Sequence, residues 1–189
     1  MRTINETAAE SSVVIRKSTQ EDREMIKHLM QLCFGSYKEL EPYANLDGRY
    51  YLYLKDGILV AMTGLTSDSE YGHLEVDWTC THPSYQNGGY MQELFTKMMD
   101  GVDEDVYCSC WRLPNKDKVN LHAIMSSFGF KEVVRSRVHW KVPHNCFRDY
   151  EGGCVCYTGA GCECYEDLYL REGSKRQTSF DGNEVCCRD

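Results

Sequence analysis

The chain has 189 residues, of which 42% are hydrophobic and 26% charged, which is enough for one globular domain with a substantial core. Its formal net charge of -8 argues against nucleic acid as a partner, because phosphate backbones bind clustered lysines and arginines. Residues 1–12 are polar without the apolar segment of a signal peptide, and no run is long enough to span a membrane, so we expect a cytoplasmic protein with no membrane partner.

The first predicted elements are a flexible tail, a strand and a helix. The tail is residues 1–12, and the β-branched run at residues 13–17 is typical of a strand. Ser18 and Glu21 have the spacing of a capping box, which indicates that a helix begins there and ends near Gly35. The apolar positions of this helix lie on one face: Ile26, Leu29, Met30 and Cys33.

A hairpin and then alternating strands and helices follow. Lys55-Asp56-Gly57 separates two apolar runs, and Asp-Gly in that setting is a strong hairpin signal. Residues 64–72 predict a turn region. Because antiparallel strands pass into alternating strands and helices, the order predicts a mixed α/β sheet. The predicted strands are residues 50–54, 58–62, 74–81, 105–111 and 131–142, and residues 116–127 form the last predicted helix.

The most informative stretch is the turn after the strand at residues 74–81. Gln86-Asn87-Gly88-Gly89 leads into a helix, and such a turn leaves backbone N–H groups unpaired at the positive end of the helix dipole, where phosphates bind. The glycines are adjacent and no Gly-Lys-Ser/Thr follows, so this is neither a Walker loop nor a dinucleotide fingerprint. A plain strand–helix connection is the alternative. The apolar positions of the helix share one face: Met91, Leu94, Phe95 and Met98.

Gln86-x-x-Gly89-x-Met91 resembles the pyrophosphate-binding motif of the GNAT acetyltransferase superfamily, Gln/Arg-x-x-Gly-x-Gly/Ala, with Met91 as the departure. The x-Pro-x-Tyr-Gln lead-in, the order of elements and Gly129-Phe130 after a short helix are also similar to that family. The resemblance implies a GNAT-like mixed, mostly antiparallel central sheet flanked by helices. The domain would span residues 13–172, with a last strand at residues 165–171 and a polar tail at residues 173–189.

The resemblance also implies the substrates and the groups that bind them. The cosubstrate would be an acyl-CoA, most often acetyl-CoA, the acceptor a small-molecule or peptide amine, and the protein a homodimer as many relatives are. The diphosphate would bind at the turn, and the pantetheine arm along a bulged fourth strand. Asn115, or else Asn120, would be the family's asparagine that touches the cofactor. The implied cofactor-binding residues are Thr79, Cys80, Thr81, Gln86, Asn87, Gly88, Gly89, Tyr90, Met91 and Asn115.

Glu75 is the candidate catalytic base, because it lies eleven positions before Gln86, where histone-type members of the family carry their catalytic glutamate. Burial beside a cleft would raise its pKa and suit proton uptake from an ammonium group. Asp77 on the same strand face, a water relay, or a purely exposed Glu75 are the alternatives.

The acid that reprotonates the CoA thiolate is missing at its usual place. Many members of the family use a tyrosine that corresponds here to Met125, which has no proton to donate. Ser126, Ser127 and Tyr90 are other hydroxyls near the motif, but none is assigned the role. A thiolate can also take its proton from water, so a missing acid need not abolish turnover.

A cysteine-rich segment is the part that the resemblance does not explain. Cys154-x-Cys156 and Cys162-x-Cys164 flank a turn and predict a C-terminal hairpin insertion within residues 146–165. Four thiolates there could bind zinc, but Cys-x-Cys is a weaker signal than Cys-x2-Cys, so packing is favoured over metal or redox roles and no metal ligand is assigned. Two other classes remain: a non-catalytic CoA-binding or metal-stabilised interaction module on the same fold, and a redox or zinc protein on an unrelated fold.

Overall fold

The computed structural model describes residues 11–34, 45–67, 74–112, 116–137 and 165–174. Within these ranges the chain forms seven strands in one sheet of order β1-β2-β3-β4-β5-β7-β6, antiparallel except between β4 and β5. The predicted mixed, mostly antiparallel sheet is therefore confirmed. The elements are β1 Val13–Lys17, α1 Arg23–Phe34, β2 Tyr50–Lys55, β3 Ile58–Thr66, β4 Leu74–Thr81, α2 Tyr90–Met98, β5 Val106–Arg112, α3 His122–Ser127, β6 Lys131–Arg137 and β7 Tyr165–Arg171.

Each face of the sheet is covered by helices whose apolar stripes follow the predicted spacing. On one face, Ile26, Leu29 and Met30 of α1 pack with buried residues of β2 and β3. On the other face, the buried side of α2 packs with β3, β5 and α3. The stripe that α2 buries is the predicted one: Met91, Leu94, Phe95 and Met98. Two separate cores thus hold the sheet between helices.

The start of α1 differs from the predicted capping box by one residue. Thr19 is the cap, and the Asp22 carboxylate accepts the Thr19 N–H at 2.8 Å, after which a short 3₁₀ turn leads into the helix. Ser18 is buried instead and serves another purpose. Its hydroxyl accepts the Tyr50 N–H at 3.0 Å and donates to the Leu46 carbonyl, which ties the end of β1 to the start of β2.

Two further boundaries differ from the sequence prediction. Gly64 lies inside β3 and not in a turn. A glycine is needed at this strand position because an added Cβ would come to 3.0 Å from the Tyr50 ring. The last helix begins at His122 and not at residue 116. The tails at residues 1–10 and 175–189, the end of the long strand beyond Arg137 and the cysteine-rich hairpin lie outside the described residues.

A buried ion pair fastens β5 to β7. Arg112 Nε donates to Asp167 Oδ2 at 2.7 Å, and the two side chains are 6% and 0% exposed. A second guanidinium nitrogen, Nη1, donates to the Lys116 carbonyl at 2.8 Å, and the guanidinium lies over the Tyr165 ring at 4.2 Å. Because every side of the cation has a partner, its desolvation is offset within the fold.

We predict that Asp167→Ala lowers the free energy of unfolding by about 3 to 5 kcal/mol, because it leaves the buried Arg112 charge without its counter-ion. Urea unfolding followed by circular dichroism measures the change. Asp100→Ala is the control, since it removes one partner of the exposed Lys97–Asp100 pair, and should change stability by less than about 0.5 kcal/mol. Equal effects of the two substitutions would contradict this account of the pair.

We also predict an acid-dependent loss of stability at the start of α1. Arg16 binds the Asp22 carboxylate at 2.6 Å and, with the Thr19 N–H, lowers its pKa to about 2. Because the folded-state pKa lies below the unfolded one, the stabilisation is complete above about pH 4 and is lost as pH falls through about 2. The difference in unfolding free energy between wild type and Asp22→Asn should shrink by about 2 kcal/mol between about pH 5 and about pH 2. A difference that does not change with pH would contradict the assignment.

Candidate functional site

The turn before α2 leaves an open helix N-terminus. Gly89 is the N-cap with φ of 81°, and Asn87 also has a positive φ of 64°, so the chain enters the helix from a left-handed conformation. The first N–H groups of a helix have no partner within it, and no side chain of the described residues caps this end. A Cβ added at Gly89 would meet nothing within 4 Å, so no neighbouring group crowds the turn at this residue.

Gly88 has a packing role. A Cβ there would collide with the Tyr90 ring, so only glycine fits beneath that side chain. The Tyr90 ring is itself held in place, since Lys55 Nζ donates to its hydroxyl at 3.1 Å and the Tyr53 ring packs edge-on at 5.2 Å. The two adjacent glycines therefore have different roles: Gly88 makes room for the Tyr90 ring, and Gly89 leaves the N-terminus of α2 uncapped.

Met91 departs from the glycine or alanine of the family motif without blocking the turn. Its side chain is 6% exposed and packs in the core beneath α2. Only its backbone N–H, in the first turn of the helix, faces the N-terminal opening. The larger side chain thus changes the core and not the space available to an anion.

Strand β4 contains a bulge, as the resemblance implied. Trp78 has a positive φ of 43°, and the pairing of β3 with β4 shifts register between Met62 and Gly64. At the shift the hydroxyls of Thr63 and Thr79 hydrogen-bond to each other at 2.7 Å. A bulge bends the strand that carries it and ends regular pairing, so the second half of β4 takes a new direction.

The bend opens the sheet between β4 and β5. The two strands pair only at Leu74 with Val106 and at Glu75 with Tyr107. Beyond that point no described strand pairs with the β5-facing edge of residues 79–81, so this edge can accept an extended ligand as a neighbouring strand. The Cys80 side chain is buried under α1, and the Cys33 thiol donates to the Thr81 carbonyl at 3.3 Å. The Cys80 side chain is therefore not available to a ligand in the opening.

Two carboxylates on the same face of β4 have different surroundings. Asp77 is paired with Arg49, whose Nη2 lies 3.0 Å from its Oδ2. Glu75 is partly exposed at the point where β4 and β5 separate, and its carboxylate has no hydrogen bond or ion pair within the described ranges. Burial, followed by the charges of Asp77 and Glu166, raises the pKa of Glu75 above its ordinary value. Burial raises the pKa of Asp77 as well, although the Arg49 cation opposes this shift. Glu75 is distinguished by having no ion-pair partner among the described residues, whereas Asp77 is held by Arg49.

The structure provides no acid at the place expected for one. Met125 is fully buried, and its thioether has no proton to give. The other hydroxyls already have partners: Ser126 contacts a histidine on α3, Ser127 donates to a carbonyl of the same helix at 2.7 Å, and Tyr90 bonds Lys55. Because Tyr90 accepts from Lys55, its own hydroxyl proton stays uncommitted, and none of the three hydroxyls is assigned as the acid.

Sequence reasoning missed Arg49, which the register of three strands brings beside Asp77. No local pattern marks that contact, since the two residues lie 28 positions apart. Asn115 and the predicted hairpin at residues 146–165 lie outside the described residues. Within the described ranges no group of three or more His, Cys, Asp or Glu side chains is placed to hold a metal ion, and no helix has the length and apolar content needed to cross a membrane.

Comparisons with solved structures show the fold. The chain is similar to the ribosomal-protein-S18-alanine N-acetyltransferase from Escherichia coli, with 14% identity, a TM-score of 0.61, and coverage of 84% of this chain and 92% of that one. It is also similar to an IAA acetyltransferase from Bacillus cereus, with 16% identity, a TM-score of 0.60, and coverage of 85% and 99%. N-acetylglutamate synthase from Neisseria gonorrhoeae, complexed with coenzyme A and N-acetyl-glutamate, gives 19% identity, a TM-score of 0.52, and coverage of 87% and 36%.

A search of curated proteins gives no match. The model of the acetyltransferase (GNAT) family matches residues 21–130, a stretch that contains α1, the bulged β4 and the open N-terminus of α2. Because this match covers more than half of the chain, the protein belongs to the GNAT acetyltransferase family, whose general activity is acetyl transfer.

Proposed function

We propose that the protein transfers an acetyl group from acetyl-CoA to a primary amine, with Glu75 as the base. The observation that carries the proposal is the opening between β4 and β5, which begins at Glu75, after which the chain leads from β4 into the uncapped N-terminus of α2. These successive segments offer groups for a carboxylate-assisted proton transfer, an extended arm and a diphosphate.

The cosubstrate would bind through backbone groups. The N–H groups of residues 87–91 and the positive end of the α2 dipole suit the diphosphate, and the chain enters this turn through Gln86. The unpaired edge of residues 79–81 suits the amides of the pantetheine arm, which would add to β4 as a short strand. Local N–H groups would attract the phosphates even though the chain as a whole carries a net charge of -8.

The acceptor amine must lose one proton before it attacks the thioester. An amine in solution is mostly ammonium, and Glu75, with its raised pKa, would accept that proton. The nitrogen lone pair would then form a C–N bond at the thioester carbonyl, and the C–S bond would break to release the thiolate, which takes a proton from water. A backbone N–H at the bulge would stabilise the oxyanion as charge develops.

The carboxylates beside the opening between β4 and β5 favour an acceptor that is positively charged in solution. Glu75 and Asp77 face the same side of β4, and the charge of Glu166 acts on Glu75 from β7. Arg49 offsets one of these charges, which leaves the lining acidic. A small-molecule amine and a peptide amine both satisfy this requirement.

A non-catalytic CoA-binding module is the second candidate, and Met125 in place of a proton donor favours it. The unpaired carboxylate of Glu75 favours the enzyme, since a module has no need of a base at the mouth of the opening. Mass spectrometry of a panel of amines incubated with the protein and acetyl-CoA separates the two. Acetylated product supports the enzyme, and CoA binding without product on any amine supports the module.

We predict that Glu75→Gln lowers kcat about 10² to 10⁴-fold at neutral pH and leaves the affinity for CoA unchanged, because it removes only the proton acceptor. Product formation followed by mass spectrometry avoids interference from the eleven cysteines. The wild-type rate should fall as pH drops through the raised pKa of Glu75, since the protonated acid cannot serve as a base. Glu24→Gln, on the first turn of α1, is the matched control. A Glu75→Gln enzyme with the full wild-type rate would rule out this role.

We further predict that Gly89→Ala weakens coenzyme A binding at least about tenfold, because a side chain at a φ of 81° disfavours the left-handed turn that leaves the α2 N–H groups uncapped. Gly57→Ala is the matched control, since Gly57 has nearly the same φ of 78° and also has nothing within 4 Å, but lies in the β2–β3 hairpin. Both substitutions should lower stability by about 1 kcal/mol through the same backbone strain. Isothermal titration with coenzyme A measures the affinities, and equal affinities for the two variants would contradict the placement of the diphosphate.

A further inference from the structure

Three sulfur atoms meet beneath the opening between β4 and β5. Cys108 and Cys110 are two residues apart on β5, so their side chains share a face, and their Sγ atoms lie 3.4 Å apart. The Sδ atom of Met125 on α3 lies 3.8 Å from Cys110 Sγ. The two cysteines are free thiols, and the three side chains are between 0% and 8% exposed.

We propose that Cys108, Cys110 and Met125 form a binding site for Cu(I). Sulfur atoms that share one ion at about 2.3 Å lie about 4 Å from each other, which is close to the 3.4 and 3.8 Å that separate Cys110 Sγ from the other two sulfurs. Two thiolates and a thioether are the soft ligands that select Cu(I) over harder ions. A structural zinc site would need four ligands, and no group of three or more His, Cys, Asp or Glu side chains in the described ranges could supply them.

The position of the cluster gives the ion both an entry path and a rigid frame. Pairing between β4 and β5 ends at Tyr107, so the part of β5 that carries both cysteines borders the opening. Cys110, which contacts both other sulfurs, is the most exposed of the three at 8%. The ligands stand on a strand and a helix whose side chains are locked by packing, which is how precise sites are held.

The binding step is a ligand exchange without electron transfer. The two S–H bonds of the cysteines break, two Cu–S bonds form, and both protons pass to solvent. The thioether of Met125 adds a third Cu–S bond through its lone pair and releases no proton. Copper enters and remains as Cu(I), so no oxidant or reductant takes part, and the complex carries one negative charge.

The test follows the Met125 methyl group by NMR in the reduced full chain, labelled with ¹³C-methyl methionine and titrated anaerobically with Ag(I) as a diamagnetic substitute for Cu(I). The titration continues beyond the total of eleven cysteines, so that stronger thiol sites elsewhere are filled. Met125→Leu assigns the resonance. We expect the Met125 signal to shift while that of Met91, in the same core, stays in place. A Met125 signal that has not moved at saturation would overturn the proposal.

Two variants show whether the thiols hold the ion. In Cys108→Ala/Cys110→Ala the Met125 signal should no longer respond, whereas Cys33→Ala, which removes a thiol from the opposite face of the sheet, should respond as wild type does. A full response in the double variant would overturn the proposal. If the double variant does not fold, Cys110→Ala replaces it, and its Met125 signal should need at least about ten times more Ag(I) to respond than in wild type. A wild-type response of the Met125 signal in that variant would overturn the proposal as well.

Discussion

The candidate site depends on the failure of β4 to remain paired with β5. A left-handed residue at Trp78 and a register shift against β3 bend the strand, so parallel pairing stops after two residue pairs. A continuous sheet would have closed this space with backbone hydrogen bonds. Because the strand bends, the β5-facing edge of residues 79–81 has no described strand beside it. The proposed binding of the cosubstrate uses this edge and the turn that follows it.

The two cores explain why the bend is stable. Alternate residues of a regular strand face opposite sides, so Val76 and Cys80, four positions apart, would share a face. The bulge between them reverses this, and Val76 packs under α2 while Cys80 packs under α1. Each half of the strand is therefore anchored by a helix on one side, whether or not β5 is beside it. The same alternation brings Glu75 and Asp77 to one face, where Arg49 and the charge of Glu166 give the two carboxylates different surroundings.

Local spacing made part of this predictable from sequence. The stripe on α2 and the Asp-Gly hairpin depend on residues close together in the chain, and the structure contains both. The strand at residues 165–171, which the family resemblance implied, is also present. Contacts set by strand register were not predictable. The sequence predicts a turn at Gly64, and only the fold shows that the Tyr50 ring packs against this glycine. Likewise, nothing near Arg112 in the sequence indicates that it pairs with Asp167. The packing role of Gly88 and the inward-facing side chain of Met91 likewise needed the fold.

Hydrogen exchange with and without coenzyme A tests the central claim most directly, because it reports on individual backbone N–H groups. If the opening beside β4 and the free end of α2 receive the cosubstrate, coenzyme A should slow exchange in residues 79–81 and 87–91 and leave the β2–β3 hairpin unchanged. Binding that protects neither stretch, or that protects only the opposite face beneath α1, would contradict the account.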